Sequence, residues 1–190
     1  MREREVPTRW SDSAEETFTL EDREGMLREI RTRTVDLPAE PIFRAFSSLG
    51  GETGWLRWTF LWRLRGLLDQ LVGGPGLRRG RRDPDHLIPG EAVDFWRVEE
   101  VEAPELLRLR AEMKVPGKAW LQWEISPERD GRSRLVQSAL FAPKGFLGWL
   151  YWWSVYPAHA FVFDDMIDAI IERARGIDGH AHATDASEQA

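Results

Sequence analysis

Apolar and polar positions alternate along five stretches of this chain and recur at helical spacing along three others. Residues 27–36, LREIRTRTVD, carry Ile, Thr and Val between charges and predict a strand. Residues 37–51 switch period: Ile42, Phe43, Phe46 and Leu49 are spaced for one helix face, with Pro38 or Pro41 in the first turn and Gly50–Gly51 as the stop. Residues 56–72 are also helical in pattern, with Leu61, Leu64, Leu68 and Leu71 on one face. The Gly-, Pro- and Arg-rich stretch 73–90 reads as a loop. Four further strands follow, in 91–101, 106–115, 119–126 and 134–141. Pro116–Gly117 and the run ERDGRS supply two of the turns between them. Short turns between successive strands make antiparallel neighbours. Residues 145–174 predict a long helix, aromatic and then amphipathic, bent near Pro157.

Strands in a run with helices to one side indicate an α+β fold, and a curved antiparallel sheet wrapped on one long C-terminal helix buries both apolar faces. The expected organisation is a polar N-terminal extension over 1–24, one domain over 25–175 and a small polar tail over 176–190.

Charge sharpens this division. The net charge is −6, of which −4 falls in residues 1–24 and −3 in 176–190, so the body carries +1. The acidity belongs to the ends, and a sequence pI near 5.3 argues against nucleic acid as a partner. The chain has no cysteine, which excludes disulfides and thiolate metal sites and fits a cytoplasmic setting. No apolar signal segment opens the chain. Ten tryptophans stand out, nine of them between Trp55 and Trp153. Such density suits a thick aromatic core, a pocket lined by rings, or a membrane-interface belt.

Several strings resemble an uncharacterised domain often fused to the C-terminus of atypical NAD(P)-binding short-chain dehydrogenase or epimerase-like proteins. They are GGETGW at 50–55, LWRLRGLLDQLVGGPGLRRGRRDP at 61–84, DFWRVEEVE at 94–102, LRLRAEMKVPGKAWL at 107–121, and the YWW…P.H pattern from Tyr151 to His159. That domain is similar to the START/polyketide-cyclase-like superfamily. The resemblance implies a helix-grip fold with a cavity between the sheet and the C-terminal helix. This chain carries no Rossmann half and no G-x-G-x-x-G, so any nicotinamide-dependent activity would come from a separate NAD(P)-binding oxidoreductase. No cofactor is expected of the chain itself.

The candidate chemistry follows. Arg78, Arg79, Arg81 and Arg82 lie among glycines, a pattern able to offer guanidinium forks and backbone N–H groups to a phosphate or carboxylate. A solvated loop pairing with Asp83 and Asp85 is the competing reading. Trp152, Tyr156, His159, Phe163 and Ile170 fall on one helix stripe, which a helix-grip fold turns toward the cavity. His159 is either a ligand contact or acid/base, or a core histidine satisfied by a carbonyl or by Tyr156. On the strands, Asp94 shares a register with Trp96 and Val98, and Gln137 with Leu135, Ala139 and Phe141. Asp94, Trp96, Gln137, Trp152, Tyr156 and His159 form the expected ligand set, and a His159–Asp94 pair would suit proton abstraction. Against this, Asp94 can be a strand-edge carboxylate paired with an arginine. Glu112, Arg108 and Arg110 read as a solvated outer face, and Trp120, opposite Leu121, needs cover from the helices at 39–72. His180 and His182 lack a third ligand nearby, so no metal site is expected.

Three functions remain open on these grounds. The first is binding of a small apolar or aromatic molecule. The second is a cyclase- or isomerase-like acid/base enzyme, or an accessory part of an oxidoreductase system. The third is a protein-interaction or peripheral membrane domain, which requires Trp58, Trp62 or Trp152 to be exposed. The uncharged run 146–163 is long enough for a span. Its Gly148, Ser154, Pro157 and His159, and the acids that follow at once, favour a buried or interfacial helix.

Overall fold

The computed structural model describes residues 18–23, 25–50, 54–55, 66–67, 70, 73, 83 and 86–188, with side-chain surroundings for those between 25 and 180. Seven strands form one antiparallel sheet: β1 (Phe18–Arg23), β2 (Met26–Val35), β3 (Ala92–Val93), β4 (Trp96–Glu102), β5 (Leu106–Ala111), β6 (Gly117–Pro127) and β7 (Ser133–Pro143). Their order across the sheet is β1-β2-β7-β6-β5-β4-β3. The helices with described bounds are α1 (Ala39–Ser47), α2 (Gly145–Glu188) and a single 3-10 turn at Arg129–Gly131. This is the antiparallel sheet with a long C-terminal helix that the alternating pattern predicts, and the helix-grip arrangement that the resemblance implies.

Period-two alternation decides which side chains the sheet turns toward α2. On β2 these are Leu27, Glu29, Arg31, Arg33 and Val35. On β7 they are Leu135, Gln137, Ala139 and Phe141, and on β6 Leu121, Trp123 and Ile125. The main core joins this face to α1 and to the later turns of α2 through Ile42, Phe46, Trp123, Phe163, Ile167 and Ile170. Phe46 of α1 stacks on Trp123 with centroids 5.6 Å apart. A smaller cluster of Leu27, Phe141 and Trp152 lies under the first turns of α2. Gly50 closes the stretch after α1 with φ +83°, and a Cβ there would come within 2.5 Å of Val93 Cγ1, so only glycine lets the chain pass.

Several expectations change. The segment expected as an extension ends in β1, which pairs with β2 from Phe18↔Arg31 to Arg23↔Met26 around Gly25, at φ 71°. The expected tail is helical to Glu188, since nothing after Pro157 removes an N–H and glycine weakens a helix without breaking it. The strand expected over 91–101 is a hairpin: Val93 pairs with Trp96, leaving Asp94 and Phe95 as its loop. The outer face of the sheet is not uniformly solvated, for Arg108, Gln122 and Glu124 are buried. A cross-strand row makes that burial tolerable: Arg108 Nε donates to Gln122 Oε1 and Gln122 Nε2 to Glu124 Oε1, each at 2.7 Å. Trp120 is flanked by Met26 and Leu140 on that face, whereas α1 lies on the opposite one against Trp123. Of the helix expected over 56–72, Gly66, Leu67 and Gln70 are described and helical. Trp58, Trp62 and Arg78, Arg79, Arg81 and Arg82 lie outside the described residues.

Candidate functional site

The apolar packing beneath α2 is interrupted by charge. Glu29 and Arg31, two residues apart on β2, both face the helix and are 0% and 3% exposed, with the Arg31 guanidinium against Glu29 Oε1. Arg31 also reaches the helix, donating through Nη2 to the Ala160 carbonyl at 2.9 Å and through Nε to Asp164 Oδ1 at 3.2 Å. Arg33 adds a second donor to the same Asp164 oxygen at 3.2 Å. Burial pushes the Glu29 carboxyl up, and Asp164 adds to this, while the charge and hydrogen bond of Arg31 pull it down; the net direction is upward. Tyr156 is raised too, by partial burial and by the Glu29 charge.

The rings around this pair come from the helix stripe. Trp152 stacks on Phe141 at 5.6 Å and meets the edge of His159 at 5.5 Å. His159 in turn contacts Phe163 edge-on at 4.9 Å, and Tyr156 lies 6.2 Å from Trp152. Pro157 sits inside this helix, where it withdraws one N–H and crowds the carbonyl of Trp153. Among the buried polar atoms with no hydrogen-bond partner among the described residues are Glu29 Oε2 and Trp152 Nε1. Buried polar atoms are nearly always paired, so an acceptor and a donor left over in one neighbourhood need an explanation.

The six expected ligand residues therefore separate. Trp152, Tyr156 and His159 share one neighbourhood under α2. Gln137 is buried beside it as a tie: its Oε1 accepts from Trp123 Nε1 at 2.9 Å and its Nε2 donates to the Phe163 carbonyl at 2.8 Å. Asp94 and Trp96 sit at the other edge of the sheet. Asp94 occupies the hairpin loop with φ 54°, a conformation short polar residues tolerate, so strand alternation does not govern where it points. Its Oδ2 accepts from Trp55 Nε1 at 2.8 Å. Trp96 packs with Trp55 and Phe95.

Glu29, Arg31 and Asp164 are absent from the sequence-derived set. The signal was present: the register Leu27, Glu29, Arg31, Arg33, Val35 runs charges between two apolar ends on a single face. No cluster of three or more metal-ligating side chains occurs among the described residues.

Residues 24–166 match the model of a family described as "Protein of unknown function (DUF2867)". No curated protein matches the chain. Among solved structures, a protein of unknown function from Staphylococcus aureus, SA2116, is 11% identical over 81% of this chain and 96% of its own, with a TM-score of 0.51. CalU16 from Micromonospora echinospora is 12% identical over 88% and 98%, with a TM-score of 0.40. CV1439 from Chromobacterium violaceum is 13% identical over 79% and 96%, at 0.46. At 11% identity the likeness to SA2116 is one of fold alone.

Proposed function

Since this chain belongs to the DUF2867 family, whose function is unknown, its role must be read from its own residues, and we propose that it binds a small apolar or aromatic molecule between β2, β7 and the first half of α2. The observation that carries this reading is that beneath α2 both Glu29 Oε2, an acceptor, and Trp152 Nε1, a donor, are buried without a hydrogen-bond partner among the described residues. A ligand bearing one donor and one acceptor on an aromatic or alicyclic frame would satisfy both. Phe141, Trp152, His159 and Phe163 would supply its apolar contacts. A ligand anion would be opposed by Glu29 when that residue is ionised, so a neutral or hydroxylated compound fits best.

The acid/base alternative gains no support from the contacts of Asp94, which place its carboxylate against Trp55 at the β3–β4 loop. His159 is better read as part of the aromatic wall.

Native mass spectrometry of freshly purified protein, compared with the same sample denatured, tests the proposal. The expected result is a mass excess lost on denaturation and much reduced in Trp152→Ala and Glu29→Gln. With no co-purified mass, a panel of hydroxylated aromatic probes follows; a folded protein whose melting temperature none of them raises would overturn the reading.

A further inference from the structure

One row of side chains starts beneath the first turns of α2 and crosses the sheet. Phe141 of β7 is opposite both Leu27 of β2 and Ala119 of β6, and Trp96 of β4 is opposite Ala111 of β5. Arg110 is opposite Trp120, so Ala111 and Ala119, one residue further on, face each other where β5 and β6 part. These side chains share the face turned toward α2. The row thus sets large rings at Phe141 and Trp96 and only two methyl groups between them.

Ala111 and Ala119 are half-buried, as are Met113 and Val115 in the turn that joins their strands. The apolar packing divides at this point. Ala111 and Met113 pack with the main core that holds Trp96, whereas Ala119 and Val115 pack with Phe141 and Trp152. The Phe141 ring fits over Gly117, where a Cβ would come within 2.7 Å of it, and stacks on Trp152 at 5.6 Å. A trough floored by the two alanines therefore runs from the Trp152 cluster to Trp96.

Both ends of the trough carry a stranded donor. Trp96 is 4% exposed, and its Nε1, like that of Trp152, has no hydrogen-bond partner among the described residues. Its ring is held by Trp55 and Phe95, with centroids 6.2 and 5.5 Å away. A buried indole N–H ordinarily finds an acceptor. The strands β4 and β7 are three spacings apart, about 14 Å, so a single ring cannot reach both ends, whereas about three rings in line can.

We propose that the molecule bound beneath α2 is elongated, with aromatic rings in line along this trough and an acceptor at its outer end on Trp96 Nε1. The inference rests on the ligand site proposed above and extends it. A hydroxyl at the inner end accepts from Trp152 Nε1 and donates to Glu29 Oε2. The frame lies over Ala119 and Ala111. A carbonyl oxygen at the outer end accepts from Trp96, which has no need of a donor there.

Thermal shift and calorimetric titration of the full chain with three probes test it. The probes are phenol and two para-terphenyls that carry a hydroxyl at one end and either an acetyl or an isopropyl group at the other. The acetyl compound is expected to bind about three- to tenfold more tightly than the isopropyl one, the worth of one hydrogen bond. Trp96→Phe keeps a ring but removes the N–H, so the acetyl advantage should vanish while the isopropyl affinity holds. Ala119→Leu, at a half-buried position, fills the trough and should abolish binding of both terphenyls but not of phenol. Circular dichroism spectra matching the native protein confirm that both variants fold, and the acetyl–isopropyl comparison in the native protein needs neither. Equal affinities for the two terphenyls, an acetyl advantage that survives in Trp96→Phe, or indifference to Ala119→Leu overturns the proposal. Binding of phenol but of neither terphenyl overturns it too, and leaves the site at Glu29 and Trp152 standing. Binding of none of the three sinks that site as well, so the two failures are distinguishable.

Discussion

Arg31 lies against Glu29 on the same strand, and both are sealed beneath α2. Such a pair costs desolvation on both sides and is recovered only through its hydrogen bonds, so its two halves are unequal to its whole. Arg31→Met leaves the Glu29 carboxylate without its partner and also frees Asp164 and the Ala160 carbonyl. The expected loss is about 3–5 kcal/mol in urea unfolding. The double variant Glu29→Leu, Arg31→Met should lose clearly less than Arg31→Met alone. Equal losses would show that Arg31 acts chiefly through the helix.

The raised Glu29 carboxyl gives a pH signature. Its folded-state value lies above the ordinary one near 4.5. Between those two values the folded state holds a proton the unfolded state has released, so this group's contribution to stability falls as pH rises through the window. Glu29→Gln removes the effect. The stability of the variant relative to the native protein should therefore increase as pH is raised above about 4.5 and level off beyond the folded value. Parallel curves across that range would mean that Arg31 cancels the burial penalty.

Gln137 spends its carboxamide on two elements at once, accepting from Trp123 and donating to the Phe163 carbonyl. Gln137→Leu keeps the volume but strands the Trp123 indole N–H in the core. The expected cost is about 1–3 kcal/mol. Trp123→Phe removes the donor as well, so adding it to Gln137→Leu should cost less than it costs alone, a coupling that a double-mutant cycle measures directly.

At the β3–β4 loop, Asp94 combines a left-handed backbone with an acceptor for Trp55. Asp94→Asn retains both properties and should change stability by well under about 1 kcal/mol, whereas Asp94→Val loses both and should cost about 2–4 kcal/mol. If Asp94 served as a catalytic base instead, the Asn variant would be stable yet abolish whatever turnover the protein supports.

The sheet was legible because alternation and turn residues speak for themselves: β5, β6 and β7 and the switch to helical spacing at 37–51 need no tertiary information. The stripe of Trp152, Tyr156, His159 and Phe163 was legible for the same reason, since helical period alone puts those residues on one side. Glu29 and Arg31 were hidden by their chemistry. Charges alternating with apolar residues normally mark a solvated face, and only the position of β2 under α2 inverts that meaning. Asp94 failed differently. A two-residue loop inside an apparently continuous strand breaks the alternation without glycine or proline to announce it.

The strand order has a consequence during synthesis. β2 takes β7 as its neighbour, joining Leu27 to Phe141 and Val35 to Ser133. On the ribosome the β1–β2 hairpin emerges first, yet its open edge has no partner until residue 143 follows, roughly five to twenty seconds later at ordinary translation rates. Through that interval Glu29 and Arg31 stand in water on an unfinished edge, where charge protects a nascent strand from pairing with its neighbours on other ribosomes. The same two side chains that are costly to bury in the finished domain thus shield it while it is being made.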